Sequence, residues 1–324
     1  MRGLIALLLL PLGGACGLGW FEEASGGGEN LPTSASGPYG KPEVDFDTPA
    51  DEPFVIDDRA ASLVAPTVLP RDDGGFRFWF GREPNNTTGL SEIWRAELAD
   101  VFDLPDVEPV ASMAPDQAWE GTRVTRPAVV EGDPGQLVMY YEGGPEDAPA
   151  IGRAESFDGG ATWQKHPGNP VLGQAGDPGA VVVDGQWMLY VVRTGMAGIY
   201  RGTSADGVAF SLDAEPVIRP RALAGAFDRA GVASPSVVAE ITPANQLHFS
   251  MLFNGVSAAD DVAIGYAGSF DGVRWERFNG LEPVLTPGSP TEHGPTGLVA
   301  GTRAYLFYNQ LSGGRQRIGV ALHP

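Results

Sequence analysis

The sequence predicts an all-β protein, a five-bladed β-propeller in a single domain that follows a signal peptide and a flexible tether. Three observations predict this architecture. Two short markers recur five times in the same order along the chain, and an aromatic-rich run lies between them in each copy. The 324 residues include 45 Gly and 28 Pro, a content that indicates many turns and few long helices.

The first marker is a proline at the start of a short apolar run. It occurs at Pro66, Pro127, Pro178, Pro235 and Pro295. A strand tolerates proline at its start, because the missing N–H then lies outside the hydrogen-bond ladder. We therefore expect these five runs to be the innermost strands, one in each blade.

The second marker is a short strand that begins with isoleucine. Its copies start at Ile93, Ile151, Ile199, Ile264 and Ile318, which are 48 to 65 residues apart. Three copies continue into a Ser-x-Asp-Gly box, in which short polar side chains are expected to stabilise a β-turn. A repeat of this size with four short strands predicts a propeller blade, because one blade cannot cover both its faces without neighbours.

The ends of the repeat indicate how the ring closes. The fifth unit stops at Pro324, after its third strand. We expect the segment Pro53–Asp58 (PFVIDD) to supply the missing outer strand. The predicted organisation is a signal peptide at 1–15, a Gly/Ser/Pro-rich tether at 16–44 and the propeller at 45–324.

The N-terminus has the pattern of an export signal. Arg2 precedes an apolar run at 3–12 that is too short to span a bilayer, and Cys16 follows small residues. This end resembles a bacterial lipobox, although Gly13 stands where that motif has leucine. The resemblance implies lipidation at Cys16; the alternative is ordinary cleavage near Ala15, with a free thiol left behind. With one cysteine in the chain, a disulfide framework is excluded.

The charge balance excludes several kinds of partner. The chain has 41 acidic and 21 basic residues and a net charge of −20. A nucleic-acid binder needs a basic surface, and so does a protein held on anionic lipid by its own side chains. We therefore expect contact with a membrane only through the lipid anchor. The expected protein is a monomer in the cell envelope, either periplasmic or on the outer surface.

A family resemblance follows from the boxes and the count of five. The box Ser156–Trp163 after an Ile-x-x-Ala strand resembles those of the five-bladed propellers of glycoside hydrolase families 43, 32, 68 and 130. It also fits the Asp-box of sialidases, but those have six blades. The resemblance covers 45–324 and implies a carbohydrate ligand in the axial funnel. It implies no cofactor, other than calcium near His293, which resembles a histidine of some family 43 channels.

The residues immediately before the five prolines are the candidates for the site, because inner strands meet at the axis. They are Ala65, Arg126, Asp177, Ser234 and Gly294. Enzymes of family 43 need three acids on three blades, and only Asp177 keeps a carboxylate here. Ordinary glycoside hydrolysis needs at least two carboxylates. The acidic triad is not intact, so the sequence leaves catalysis open.

A second internal match offers further acids. Glu120 and Asp228 each lie seven residues before an inner-strand proline and directly after an aromatic residue. These loops lead into inner strands, so Glu120 and Asp228 are predicted to act as catalytic acids with Asp177. The alternative is that both acids form ion pairs between blades or cap turns. The predicted substrate-binding residues are Trp119, Arg126, Arg229, Glu292 and His293; for His293 a buried structural role is the alternative.

Three functions therefore remain open. The first is an exported enzyme that hydrolyses or phosphorolyses a glycosidic bond. The second is a non-catalytic propeller that binds a glycan or a protein partner at the cell envelope. The third is a structural envelope lipoprotein with no small ligand. A pair of carboxylates facing one pocket would favour the enzyme.

Replacing Cys16 by Ser is expected to release the protein from the membrane fraction, because a thioether-linked lipid needs that sulfur atom. Fractionation of cells that express the wild type and the variant measures the effect. An unchanged distribution between soluble and membrane fractions would contradict lipid attachment.

Overall fold

The computed structural model describes residues 54–323, apart from 57, 59–60, 85–88, 100–107, 243–244, 279, 286–291, 301–302 and 313. The predicted signal peptide and tether, including Cys16, lie outside the described residues. Within them the chain forms five antiparallel sheets arranged as the blades of a propeller, which confirms the predicted fold. None of the described helices is long and apolar enough to cross a membrane.

Blades 1 to 4 are each built from consecutive strands, and in every blade the strand that carries the marker proline is the innermost. We call the strand that follows it in the chain and pairs with it the middle strand. Blade 1 consists of β2 (Ala61–Pro70), β3 (Phe76–Pro84), β4 (Glu92–Leu98) and β5 (Val110–Met113). Blade 2 consists of β6 (Val124–Glu131), β7 (Leu137–Gly143), β8 (Ala150–Ser156), β9 (Gln164–Lys165) and β10 (Leu172–Gly173), preceded by a 3-10 turn at Ala118–Glu120. Blade 3 consists of β11 (Ala175–Val183), β12 (Gln186–Arg193), β13 (Ile199–Ser204) and β14 (Ser211–Leu212). Blade 4 consists of β15 (Gly231–Ile241), β16 (Leu247–Val256), β17 (Val262–Ser269) and β18 (Glu276–Arg277).

Blade 5 joins the two ends of the chain. It consists of β19 (Glu292–Ala300), β20 (Arg303–Ser312), β21 (Arg315–His323) and, from the N-terminal side, β1 (Phe54–Ile56). Phe54 pairs with Gly319 and Ile56 with Ile318. The prediction that the segment around 53–58 closes the ring is confirmed.

The hydrophobic core lies between the blades. All five isoleucines of the second marker have no exposed surface. Burying one such side chain contributes roughly 1.5–3 kcal/mol. The aromatic residues of the middle strands fill the same space; Phe78 and Phe307, for example, pack edge to face at 5.0 Å between blades 1 and 5. The repeat in the sequence is therefore a repeat of contacts between neighbouring blades.

The Ser-x-Asp-Gly boxes form tight turns at one end of blades 2, 3 and 4. In blade 3, the Ser204 hydroxyl accepts the N–H of Gly207 at 3.0 Å. The Asp206 carboxylate accepts the N–H groups of Val208 and Ala209, both at 2.9 Å. These backbone donors stabilise the ionised carboxylate and lower the pKa of Asp206 to about 2.

The same turns connect adjacent blades. In each box a glycine carbonyl accepts a hydrogen bond from an aromatic side chain on the middle strand of the preceding blade. The pairs are Trp79 with Gly160 at 3.0 Å, Tyr140 with Gly207 at 2.7 Å and Tyr190 with Gly272 at 2.9 Å. The matching register positions of blades 4 and 5 hold Leu252 and Phe307, which have no polar group to donate. The sequence of blade 1, which follows blade 5 in the ring, has no box.

Tyr190→Phe is expected to lower the free energy of unfolding by about 0.5–1.5 kcal/mol, because it removes one buried hydrogen bond between blades 3 and 4. Phe307→Tyr is the matched reverse change, since it places a hydroxyl at the same register position where the next blade has no box. Phe307→Tyr should also lower the free energy of unfolding, because the added hydroxyl has no box carbonyl to bind. Urea unfolding of both variants measures these effects, and a stabilised Phe307→Tyr would contradict the role given to the boxes.

Candidate functional site

Each inner strand is interrupted by a bulge at the residue before its proline. In all five blades this residue has a positive φ: Ala65 47°, Arg126 48°, Asp177 51°, Ser234 49° and Gly294 62°. Pairing with the middle strand shifts register at the same five places. A non-glycine residue in this region is strained by about 1–3 kcal/mol and needs surrounding structure to hold it. All five residues line a cavity of about 460 Å³ on the propeller axis, the axial cavity.

The bulges are held by hydrogen bonds across blade boundaries. In three blades the N–H of the bulge residue donates to a side chain on the middle strand of the preceding blade. The pairs are Ala65 with Asn309 at 2.7 Å, Asp177 with Glu142 at 2.8 Å and Gly294 with Asn254 at 3.1 Å. The Ser234 N–H donates instead to the Asp177 carboxylate at 3.3 Å. The bulge thus supplies a donor that joins one blade to the next.

A second cavity, of about 730 Å³, opens where blades 1, 2 and 3 begin their inner strands. We call it the funnel cavity. Arg126 and Asp177 line both cavities. The charged side chains in the wall of the funnel cavity are Glu83, Arg123, Arg126, Glu142, Glu146, Asp147, Asp177 and Arg193.

Arg126 lies at the centre of a charged cluster in this cavity. Its Nε is 2.6 Å from Oδ1 of Asp177, and its Nη1 is 3.2 Å from Oε1 of Glu142. Arg123 binds the same Glu142 oxygen at 2.7 Å. About a third of the Arg126 side chain remains exposed, whereas those of Asp177 and Glu142 are mostly buried. The cluster presents one arginine to the cavity and holds it with two carboxylates.

The surroundings shift the acid–base properties of this cluster. Burial raises the pKa of Asp177, the neighbouring Arg126 opposes that rise, and the charge of Glu142 adds to it. The pKa of Arg126 is raised further above its already high value, mainly by Asp177. Arg126 is therefore a permanent cation at the site.

Glu120 does not join this cluster. It is fully buried beside blade 2, where one of its oxygens accepts the Tyr141 hydroxyl at 2.7 Å. The other oxygen forms an ion pair with Lys165 at 2.7 Å and accepts the N–H groups of Asp116 and Gln117. Glu120 lines neither of the two cavities described above. These bonds hold the loop that leads into the inner strand.

Asp228 has the same arrangement beside blade 4. It is fully buried and forms ion pairs with Arg221 at 2.7 Å and with Arg277 at 2.9 Å. Arg277 on β18 corresponds to Lys165 on β9, the outer strand of blade 2. A buried carboxylate needs such a partner to offset the loss of solvation. The structure thus places both acids in the scaffold and brings neither to the funnel cavity with Asp177.

The other predicted binding residues have different positions. Trp119 packs on Tyr141 with ring centres 5.9 Å apart, and it lines neither cavity. Arg229 is exposed and lies outside both cavities. The backbone of Glu292 and His293 begins β19, but their side chains lie outside the described residues. The described residues contain no group of three or more acidic, His or Cys side chains that could hold a metal ion. Calcium near His293 therefore stays a prediction.

Sequence reasoning missed Glu142, Glu83 and Arg193. Glu142 had a detectable signal, because the middle strands align. Tyr-Glu-Gly in blade 2 corresponds to Phe-Asn-Gly in blade 4 and Tyr-Asn-Gln in blade 5. Glu142 is the one charged residue at this position, which holds glycine in blade 1, valine in blade 3 and asparagine in blades 4 and 5. Glu83 and Arg193 have no comparable pattern in the sequence.

Comparison with known proteins supports the fold. A glycosyl hydrolase from Bacteroides ovatus superimposes with a TM-score of 0.66 at 17% identity, over 90% of this chain and 95% of that one. A structure from a study of the GH130 family of mannoside phosphorylases gives the same values. A β-fructofuranosidase from Schwanniomyces occidentalis gives 0.63 at 15% identity, over 83% of this chain and 58% of that one. No family model and no curated protein matches the chain. At these identities the likeness shows the five-bladed fold shared with glycoside hydrolases.

Arg126→Ala is expected to destabilise the protein by about 3 kcal/mol, because it leaves Asp177 and Glu142 buried without their shared cation. Adding Asp177→Asn should restore part of that loss by removing one uncompensated charge. Arg193→Ala is the matched control: it lies in the same cavity, and no carboxylate of the described residues is shown within ion-pair distance of it. Urea unfolding at neutral pH measures all three. Equal stability of Arg126→Ala and Arg193→Ala would contradict the stabilising role given to the ion pairs of Arg126.

Proposed function

We propose that this protein binds a carbohydrate in the funnel cavity without cleaving it, and that Arg126 and Asp177 are the groups that hold the sugar. The observation that carries the proposal is the 2.6 Å ion pair between Arg126 and Asp177. It joins the bulge residues of blades 2 and 3, which line both the axial cavity and the funnel cavity. Asp177, the single acid among the five bulge residues, is thereby paired with Arg126.

The ring of bulge residues argues against hydrolysis. Two carboxylates have to act on one glycosidic bond, one as acid and one as base or nucleophile. The other four positions hold alanine, arginine, serine and glycine. Glu120 and Asp228, which the sequence predicted as the partners of Asp177, have their oxygens occupied by Lys165, Arg221 and Arg277. Ordinary glycoside hydrolysis therefore lacks its second carboxylate among the five bulge residues.

The funnel cavity is suited to a polar ligand of the size of one or a few sugar units. Its volume of about 730 Å³ lies within the usual range for small-molecule sites. Planar guanidinium and carboxylate groups can each contact two oxygen atoms of a ligand, and such charge-assisted hydrogen bonds are the stronger kind. The similar structures include one from a study of β-1,2 mannosidic linkages and one complexed with a fructosyl compound. These two sugar types are the first probes.

We also propose that the propeller is displayed at the cell envelope. The N-terminal pattern that ends at Cys16, followed by a spacer rich in Gly, Ser and Pro, supports lipid attachment. A monomer that is anchored in this way would present its funnel to glycans outside the membrane. Binding a protein partner through the same surface is the alternative for a non-catalytic propeller.

Asp177→Asn is expected to weaken carbohydrate binding at least tenfold, because it removes one of the two charges that hold Arg126. Titration calorimetry with β-1,2-mannobiose and with a fructo-oligosaccharide measures this. Arg229→Ala is the control, because this exposed residue lies outside both cavities and its loss should leave the affinity unchanged. If the wild type binds neither probe nor any member of a wider glycan panel, the proposal is rejected.

Glycoside cleavage is the second candidate, and one observation favours it. Asp177 has a raised pKa, and Glu142 provides a second carboxylate that shares Arg126 with it. A raised pKa is what a proton donor near neutral pH requires. Product release from the same sugars, with and without phosphate, separates the two candidates. Turnover by the wild type that is absent in Asp177→Asn would establish the enzyme in place of the binding protein.

A further inference from the structure

Three blades place an acceptor side chain at the same position of the middle strand. Glu142, Asn254 and Asn309 each lie opposite the residue that precedes the bulge of their own blade. Each accepts the bulge N–H of the following blade, at 2.8, 3.1 and 2.7 Å. In blades 4 and 5 a neutral amide is sufficient for this contact. The negative charge of Glu142 is therefore not needed to join the blades.

The charge of Glu142 has a use at the funnel cavity. Its Oε1 binds both Arg123 and Arg126, at 2.7 and 3.2 Å, while its Oε2 accepts the Asp177 N–H. The neighbouring Gly176 makes room for it, since a Cβ atom there would lie 2.5 Å from Oε2. One buried carboxylate thus fixes the guanidinium of Arg126 and the backbone of Asp177 together.

The Asp177 carboxylate also accepts the bulge N–H of the following blade. The middle strand of its own blade has Val192 at the acceptor position, and valine cannot accept a hydrogen bond. The Asp177 carboxylate takes over that contact with the Ser234 N–H at 3.3 Å, while it also binds Arg126. A chain of contacts therefore runs from Glu142 through Asp177 to blade 4.

We propose that Glu142 is the positioning residue of the funnel cavity. In addition to accepting the hydrogen bond that joins blades 2 and 3, its carboxylate orients Arg126 and Asp177 towards a bound carbohydrate. This role rests on the proposed function. Glu142 is itself only slightly exposed, so it acts through its two neighbours. The same position holds a neutral asparagine in blades 4 and 5 and a charged residue in blade 2.

The test is Glu142→Gln, which keeps an oxygen acceptor for the Asp177 N–H and removes the charge. Asn254→Ala is the matched control, because it deletes the equivalent contact at Gly294, away from the funnel cavity. The first readout is the titration of the Asp177 carboxyl group, followed by NMR on protein with ¹³C-labelled aspartate and assigned with Asp177→Asn. This readout needs no ligand.

The charged groups that face Asp177 determine the expected direction. They come from blades 1, 2 and 3 and the loop after β7: Glu83, Arg123, Arg126, Glu142, Glu146, Asp147 and Arg193. The charge of Glu142 raises the pKa of Asp177, so its removal should lower the acid midpoint. Asn254→Ala should leave this midpoint unchanged and reduce only the melting temperature.

The second readout is calorimetric binding of β-1,2-mannobiose and a fructo-oligosaccharide. Glu142→Gln should bind at least tenfold more weakly than the wild type, and Asn254→Ala should bind equally well. A Glu142→Gln variant with lower thermal stability but with an unchanged Asp177 midpoint and unchanged affinity would overturn the positioning role and leave the proposed function standing. If the wild type binds no glycan, the proposed function and the role that rests on it are both overturned.

Discussion

The propeller depends on one backbone constraint, the left-handed bulge before each inner-strand proline. At this residue the ladder between inner and middle strand is interrupted, so the residue's N–H needs an acceptor elsewhere. For Ala65, Asp177, Ser234 and Gly294 the acceptor is a side chain of the preceding blade. A local strain is thereby offset by a contact between blades, and the bulge side chain is directed to the axis.

The blades are joined at both ends of their strands by different devices. At the end where the inner strands begin, the bulge N–H groups of three blades donate to side chains on the preceding middle strand, and that of Ser234 donates to Asp177. At the other end, box turns accept hydrogen bonds from Trp79, Tyr140 and Tyr190. The junction of blades 5 and 1 has no box, and there Asn309 both accepts from Ala65 and donates to the Leu63 carbonyl at 2.6 Å. Together with β1, this asparagine closes the ring.

The candidate site consists of residues that differ from those at the equivalent structural positions of other blades. Asp177 and Arg126 occupy bulge positions that hold alanine, serine and glycine in the other blades, and Glu142 occupies an acceptor position that holds asparagine in blades 4 and 5. Glu120 and Asp228 show the opposite behaviour, since they recur at equal distance from a proline and both form buried ion pairs. In a repeat protein, residues that recur in step serve the scaffold, and the residues that break the repeat are the better candidates for function.

The sequence by itself determined the blade count, the innermost strands, the box turns and the segment that closes the ring. These features depend on contacts that repeat every 48 to 65 residues, so each leaves a periodic trace in the chain. Only the tertiary structure decided which acids meet. Arg126 and Asp177 pair across a blade boundary, and Glu142 reaches the Asp177 N–H from 35 residues away. Glu120 and Asp228 turn instead to the outer strands of their own blades. A carboxylate's role depends on the cation within about 4 Å of it, and that neighbour is set by how the blades pack, which a local pattern does not encode.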